Sequence, residues 1–117
     1  MVLPAVLQRY RCLPALLCWL LSVWLLWLKP AGEPSGLPYG DKIGHFVLFA
    51  LWATSLLYAI PARVAAWRKT LLLCLAWAVV SELGQALTAT RSAELADALA
   101  DMAGAGLAVY LYYRWQR

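Results

Sequence analysis

Charge is scarce in this sequence. Only 14% of its 117 residues are Asp, Glu, Lys or Arg, while 64% are apolar, well beyond the roughly 45–50% apolar usage of soluble domains. That scarcity excludes an ordinary water-soluble domain, and the length leaves room for a single one. Histidine occurs once, at His45. Cysteine occurs at Cys12, Cys18 and Cys74, a spacing unlike that of a metal site; with all three placed toward the inner face, they are expected to be buried free thiols. No nucleophile stands beside a matching base, and no cofactor-binding box is present. The net charge is +4, but the basic residues sit in short flanks beside apolar runs and form no patch or recognition motif, so nucleic acid is not an expected partner.

What the chain does have is four apolar blocks. The first, 12–28, follows Arg9 and Arg11. A basic flank before an apolar core also describes a secretory signal, but this run is longer than a signal core of about 7–15 residues and ends at Lys29-Pro30 without a small-x-small cleavage site. It reads as a retained helix, with Pro14 in the first turn, where a missing backbone donor costs little. Residues 29–40 (KPAGEPSGLPYG) concentrate proline and glycine and form a loop. A second helix is predicted over 41–60 and is stopped by Pro61. The short segment 61–69 carries Arg63, Arg68 and Lys69 and no acid. Further helices follow over 70–89, with Glu82 and Gln85, and over 94–113, with Asp97 and Asp101. Each run is about 20 residues, enough to cross roughly 30 Å of hydrocarbon. The predicted fold is all-α, a membrane-embedded four-helix bundle in a lipid bilayer.

Orientation follows from lysine and arginine. With the N-terminus inside, the cytoplasmic segments hold Arg9, Arg11, Arg63, Arg68, Lys69, Arg114 and Arg117, leaving only Lys29, Lys42 and Arg91 outside, the bias of a protein with both termini in the cytoplasm. Tyr110, Tyr112, Tyr113 and Trp115 then form an aromatic anchor at the inner interface. The tryptophans at 19, 24, 27, 52, 67, 77 and 115 are expected to be mostly lipid-facing or interfacial. On this topology all six acids, Glu33, Asp41, Glu82, Glu94, Asp97 and Asp101, fall in outer loops or outer helix halves.

Three of the helices contribute polar pairs at similar depth. Asp41 and His45 are four residues apart, Glu82 and Gln85 three, Asp97 and Asp101 four, so each pair shares a helix face. An ionisable group entering a bilayer is costly and by default marks a functional site or an ion-pair partner. Asp41, Lys42, His45, Glu82, Gln85, Arg91, Asp97 and Asp101 are therefore expected to converge in one outward-facing cavity. Ala96, Ala100, Gly104 and Ala108, at strict four-residue spacing, form a small-residue ridge for close helix packing.

The ordered set Asp41-Lys42-x-x-His45-Phe46, Glu82-x-x-Gln85, Arg91, Asp97 and Gly104 resembles the VanZ-like family of small bacterial membrane proteins. The resemblance covers about residues 41–108. Two positions depart from the family pattern: Asp101 stands where asparagine is usual, and Ala108 where glycine is common. Membership implies a bacterial integral membrane protein, and some members are linked to low-level resistance to the glycopeptide teicoplanin.

Charge arithmetic sharpens the reading. Four acids, Asp41, Glu82, Asp97 and Asp101, face two cations, Lys42 and Arg91, and at most a third in His45. The excess negative charge must be removed by proton uptake or by a bound cation, either a divalent metal ion or an amine on a ligand. Three functions stay open. The first is a factor binding an envelope lipid or lipid-linked cell-wall precursor, with Lys42 and Arg91 on phosphate and the acids on an amine. The second is an enzyme acting on such a lipid, with His45 as general base or metal ligand beside Glu82, Asp97 and Asp101. The third is a structural assembly subunit, whose charges merely lock helices together.

Overall fold

The computed structural model describes residues 5–25, 40–60, 65–87 and 95–115. Among the described residues every element is helical. A short α1 (Ala5–Arg9) precedes four apolar helices, α2 (Leu13–Val23), α3 (Gly40–Ala59), α4 (Ala66–Ala86) and α5 (Leu95–Trp115). Three stretches, Lys42–Ala59, Ala66–Ala86 and Leu95–Trp115, are long and apolar enough to cross a membrane, and α2 is a shorter apolar helix. Proline lies in the first turn of α2, as expected for a residue without a backbone donor.

Several boundaries differ from the sequence expectation: α2 is Leu13–Val23 rather than 12–28, and α4 ends at Ala86 rather than near residue 89. The third apolar helix begins at Ala66 rather than near residue 70, so Arg68 and Lys69 lie in its first turn. Nothing between Ala65 and Thr70 breaks a helix, and the Lys69 N–H already bonds to the Ala65 carbonyl at 3.3 Å; charge marks where a span leaves lipid, not where its hydrogen bonding ends. The last helix runs on to Trp115 for the same reason.

Chain direction follows from the pairs that meet. Lys42 faces Asp97 and His45 faces Asp101, and farther along Phe46 lies against Gly104, so α3 and α5 run parallel. Their contact is the most extensive in the bundle. α2 runs the other way: Arg11 reaches Tyr58, and Cys18 Sγ lies 3.5 Å from Ser55 Oγ. α4 returns alongside and brings Glu82 back to the level of His45.

The core is built largely of small side chains, Ala15, Ala53, Cys74, Ala78, Ala105 and Ala108, around Phe49, Trp52 and Trp77. Large aliphatic residues such as Leu16, Leu17, Leu72, Leu75, Val79, Leu99 and Leu111 point outward. A water-soluble bundle would reverse this order; in lipid, outward leucines cost nothing and small inner residues let backbones approach.

Trp52 and Trp77 are core residues rather than lipid-facing ones. The Trp77 Nε1–H donates to Ser22 Oγ at 3.0 Å, and the Ser22 hydroxyl donates to the Trp19 carbonyl at 2.6 Å. The Trp19 ring packs on Trp77 with centroids 5.4 Å apart. An indole N–H inside a bundle needs an acceptor, and Ser22 provides it. Trp24, Trp67 and Trp115 are exposed, whereas position 27 lies outside the described residues. The cysteines are free, but only Cys74 is buried; Cys18 is half-buried and Cys12 exposed, because Cys12 sits in the turn between α1 and α2.

At the end of the bundle where α3 stops, Arg11 donates from Nε and Nη2 to the Tyr58 carbonyl at 3.1 and 2.9 Å. Its guanidinium lies 5.9 Å from the Tyr58 ring centroid. The last carbonyls of a helix lack intrahelical donors and carry partial negative charge, so a cation there serves both needs.

Candidate polar site between α3, α4 and α5

Gly104 sets the separation of α3 and α5. A Cβ built on it would fall on the carbonyl of Phe46, so only glycine permits this approach. The contact lies one residue beyond His45 on α3 and three beyond Asp101 on α5, and it brings those two side chains within bonding reach.

The buried strip of α5 is Asp97, Asp101, Gly104, Ala105 and Ala108. Gly104 and Ala108 thus face the bundle, while Ala100 is half-buried and Ala96 exposed. A strict four-residue spacing drifts about 40° per step around a helix of 3.6 residues per turn, so Ala96 and Ala108 cannot share one contact face. The 4-3-4 spacing of Asp97, Asp101, Gly104 and Ala108 stays on one side.

His45 is the hub. Its Nδ1 lies 2.7 Å from Asp101 Oδ1, a hydrogen bond that the carboxylate accepts when ionised, and its Nε2 lies 3.7 Å from Asp97 Oδ2. Lys42 Nζ stands 3.6 Å from Asp97 Oδ1. Asp101 is wholly buried, and His45, Glu82, Gln85 and Asp97 are nearly so. Lys42, with a side chain 25% exposed, is where the cluster reaches the surface. Asp101 Oδ2 is buried and accepts no hydrogen bond among the described residues. His45, Glu82 and Asp101 each present one nitrogen or oxygen within 4.8 Å of the other two.

Of the eight polar positions singled out from the sequence, Lys42, His45, Asp97 and Asp101 are in direct contact, and Glu82 joins them from α4. Gln85 is buried one turn farther along α4. Asp41 opens α3, but its side chain, like the whole of Arg91, lies outside the described residues, as do Glu33 and Glu94.

An imidazole between two carboxylates can hold a proton in a fixed orientation or bind a cation. Glu82, Asp97 and Asp101 supply up to three negative charges against Lys42 and His45.

The profile of the VanZ/LLP1 family matches residues 15–116. The chain belongs to the VanZ/LLP1 family. That match spans α2 to α5, so every helix contributing to the cluster lies inside the VanZ/LLP1 region. Comparison with curated proteins and with solved structures gives no match.

Two contacts that support this VanZ/LLP1 bundle were not foreseen, the Trp77–Ser22 hydrogen bond and the Arg11 contact with Tyr58. A serine inside an apolar run is a readable signal for the first. Nothing in the spacing of Arg11 and Tyr58 announces the second.

Proposed function

We propose that this VanZ/LLP1 protein lies in the bacterial cytoplasmic membrane with both termini inside, and that its polar cluster binds the headgroup of an envelope lipid or lipid-linked cell-wall precursor from the outer leaflet. The observation that carries the reading is the convergence of Lys42, His45, Glu82, Asp97 and Asp101 from three helices, buried except at Lys42. Buried ionisable groups in a membrane bundle are expensive and mark ligand or ion pathways by default. Lys42 and Arg91 would take a headgroup phosphate, and the carboxylates an amine. Binding of a cell-wall precursor would provide a route to the glycopeptide resistance linked to the family.

Native mass spectrometry of the detergent-purified protein tests this. One lipid should remain bound per chain and be lost in Lys42→Gln; equal retention by that variant, or none by the wild type, would remove the reading.

The His45–Asp101 hydrogen bond favours a second reading, an enzyme acting on a lipid-linked substrate. A carboxylate holding one imidazole nitrogen orients the ring for proton transfer at the other. Turnover of a lipid-linked substrate by wild type and not by His45→Gln would select it over simple binding.

A further inference from the structure

We infer that His45, Glu82 and Asp101 form a binding site for a divalent first-row transition-metal ion. The site shares Glu82 and Asp101 with the lipid reading, in which an ion would take the place given there to a headgroup amine, and the two are tested by separate readouts.

Three helices each contribute one ligand. His45 comes from α3, Glu82 from α4 and Asp101 from α5, and a nitrogen or oxygen of each lies within 4.8 Å of the other two. Ligands about 2.1 Å from a tetrahedral ion stand roughly 3.4 Å apart, so ligation would exchange the 2.7 Å His45 Nδ1–Asp101 Oδ1 hydrogen bond for bonds from both side chains to the ion and bring all three ligand atoms to that spacing. One imidazole with two carboxylates suits zinc or manganese; magnesium and calcium are served by oxygen ligands.

A second observation points the same way. Asp101 is wholly buried, and its Oδ2 accepts no hydrogen bond among the described residues. A buried carboxylate oxygen without a donor is costly, and a cation resolves that cost. Asp97 meanwhile lies 3.7 Å from His45 Nε2 and 3.6 Å from Lys42 Nζ, on the side of the ring away from Asp101, where a small approach would let it accept the Nε2–H of a metal-bound histidine.

The charges then close. A divalent ion balances Glu82 and Asp101, Lys42 balances Asp97, and His45 binds as neutral imidazole. Three protein ligands leave a fourth position for an external oxygen.

The test uses full-length protein in detergent, stripped with a chelator and titrated with Zn²⁺, Mn²⁺, Mg²⁺ or Ca²⁺, reading thermal unfolding and metal content by elemental analysis. Zn²⁺ or Mn²⁺ should bind at one ion per chain and raise the unfolding temperature, as ligation of the folded state alone requires. Mg²⁺ and Ca²⁺ should do so at least tenfold more weakly. Asp101→Asn and Glu82→Gln, both near-isosteric, should each weaken Zn²⁺ binding at least tenfold. The wild type alone can overturn the proposal, by showing no stoichiometric Zn²⁺ or Mn²⁺ or an equal response to all four ions. Unchanged affinity in both variants would overturn it too. Lipid retained by metal-free protein would leave the lipid reading intact, so the two fail separately.

Discussion

Gly104 and the carbonyl of Phe46 are in such close approach that any Cβ at position 104 meets backbone. Backbone cannot rotate away as a side chain can, so Gly104→Ala must push α5 from α3. Overpacking of this kind costs about 1–3 kcal/mol. Gly106, with nothing within 4 Å of its would-be Cβ, is the control: Gly106→Ala should be neutral or stabilise by up to about 1 kcal/mol. Thermal unfolding in detergent checks both, and equal effects would mean that the helices do not meet at Gly104.

The same approach holds His45 against Asp101, and that pair has its own signature. His45→Ala leaves a wholly buried carboxyl group without its hydrogen-bond partner, and leaving a buried polar group unsatisfied costs about 1–3 kcal/mol, more if it is ionised. Asp101→Asn keeps an oxygen acceptor for His45 and should cost less. The double variant His45→Ala with Asp101→Ala should be markedly less damaging than the sum of the two single changes. Additive losses in that cycle would show that the two side chains do not interact.

The apolar helices, the membrane character and the meeting of Lys42, His45, Asp97 and Asp101 were legible because each rests on a strong local signal: a run of about 20 apolar residues, or an ionisable residue where lipid makes it costly. The precise buried face was not. Counting Ala96, Ala100, Gly104 and Ala108 by fours ignores the helix drift that leaves Ala96 exposed and lets Asp97 and Asp101 share the inner strip with Gly104. Tryptophan misled in a different way. Its amphipathic ring suits the membrane interface, but Ser22 gives Trp77 an acceptor inside the bundle, and that depends on the pairing of α2 with α4, which no local pattern records. Arg11 reads as a topology signal from sequence, yet it is also an inter-helix contact.

That contact is measurable. Arg11 supplies two hydrogen bonds to the Tyr58 carbonyl and packs over the Tyr58 ring. Arg11→Ala should lower stability by roughly 1–2 kcal/mol, the range for a charge-assisted bond at a helix C-terminus. Arg11→Lys keeps the charge but loses the two-pronged geometry, so it should fall between wild type and alanine. A lysine variant no better than alanine would show that the paired guanidinium bonds, not the charge, hold α2 to α3.

The membrane orientation can be read with the native Cys12 and two introduced cysteines. Arg11 bonds to Tyr58, so Cys12, next in the chain and exposed, lies near the end of α3. Ala65, exposed and one residue before α4, follows that end by a short connection. Cys12 and a cysteine at Ala65 should therefore respond alike to a membrane-impermeant thiol reagent, whichever way the bundle faces. Ser35 falls in sequence between α2 and α3, whose facing ends lie at the opposite end of the bundle. The proposal that the Cys12 and Ala65 end is cytoplasmic rests on its excess of Lys and Arg, Arg9, Arg11, Arg68, Lys69 and Arg114 among the described residues. In intact cells, with Cys18 and Cys74 replaced, a cysteine at Ser35 should label, while Cys12 and Ala65→Cys should label only after the membrane is opened. Labelling of Cys12 and Ala65→Cys but not of Ser35→Cys would invert the protein and carry the His45 cluster to the inner leaflet. Different behaviour of Cys12 and Ala65→Cys would instead break the α2–α3 pairing on which the bundle is built.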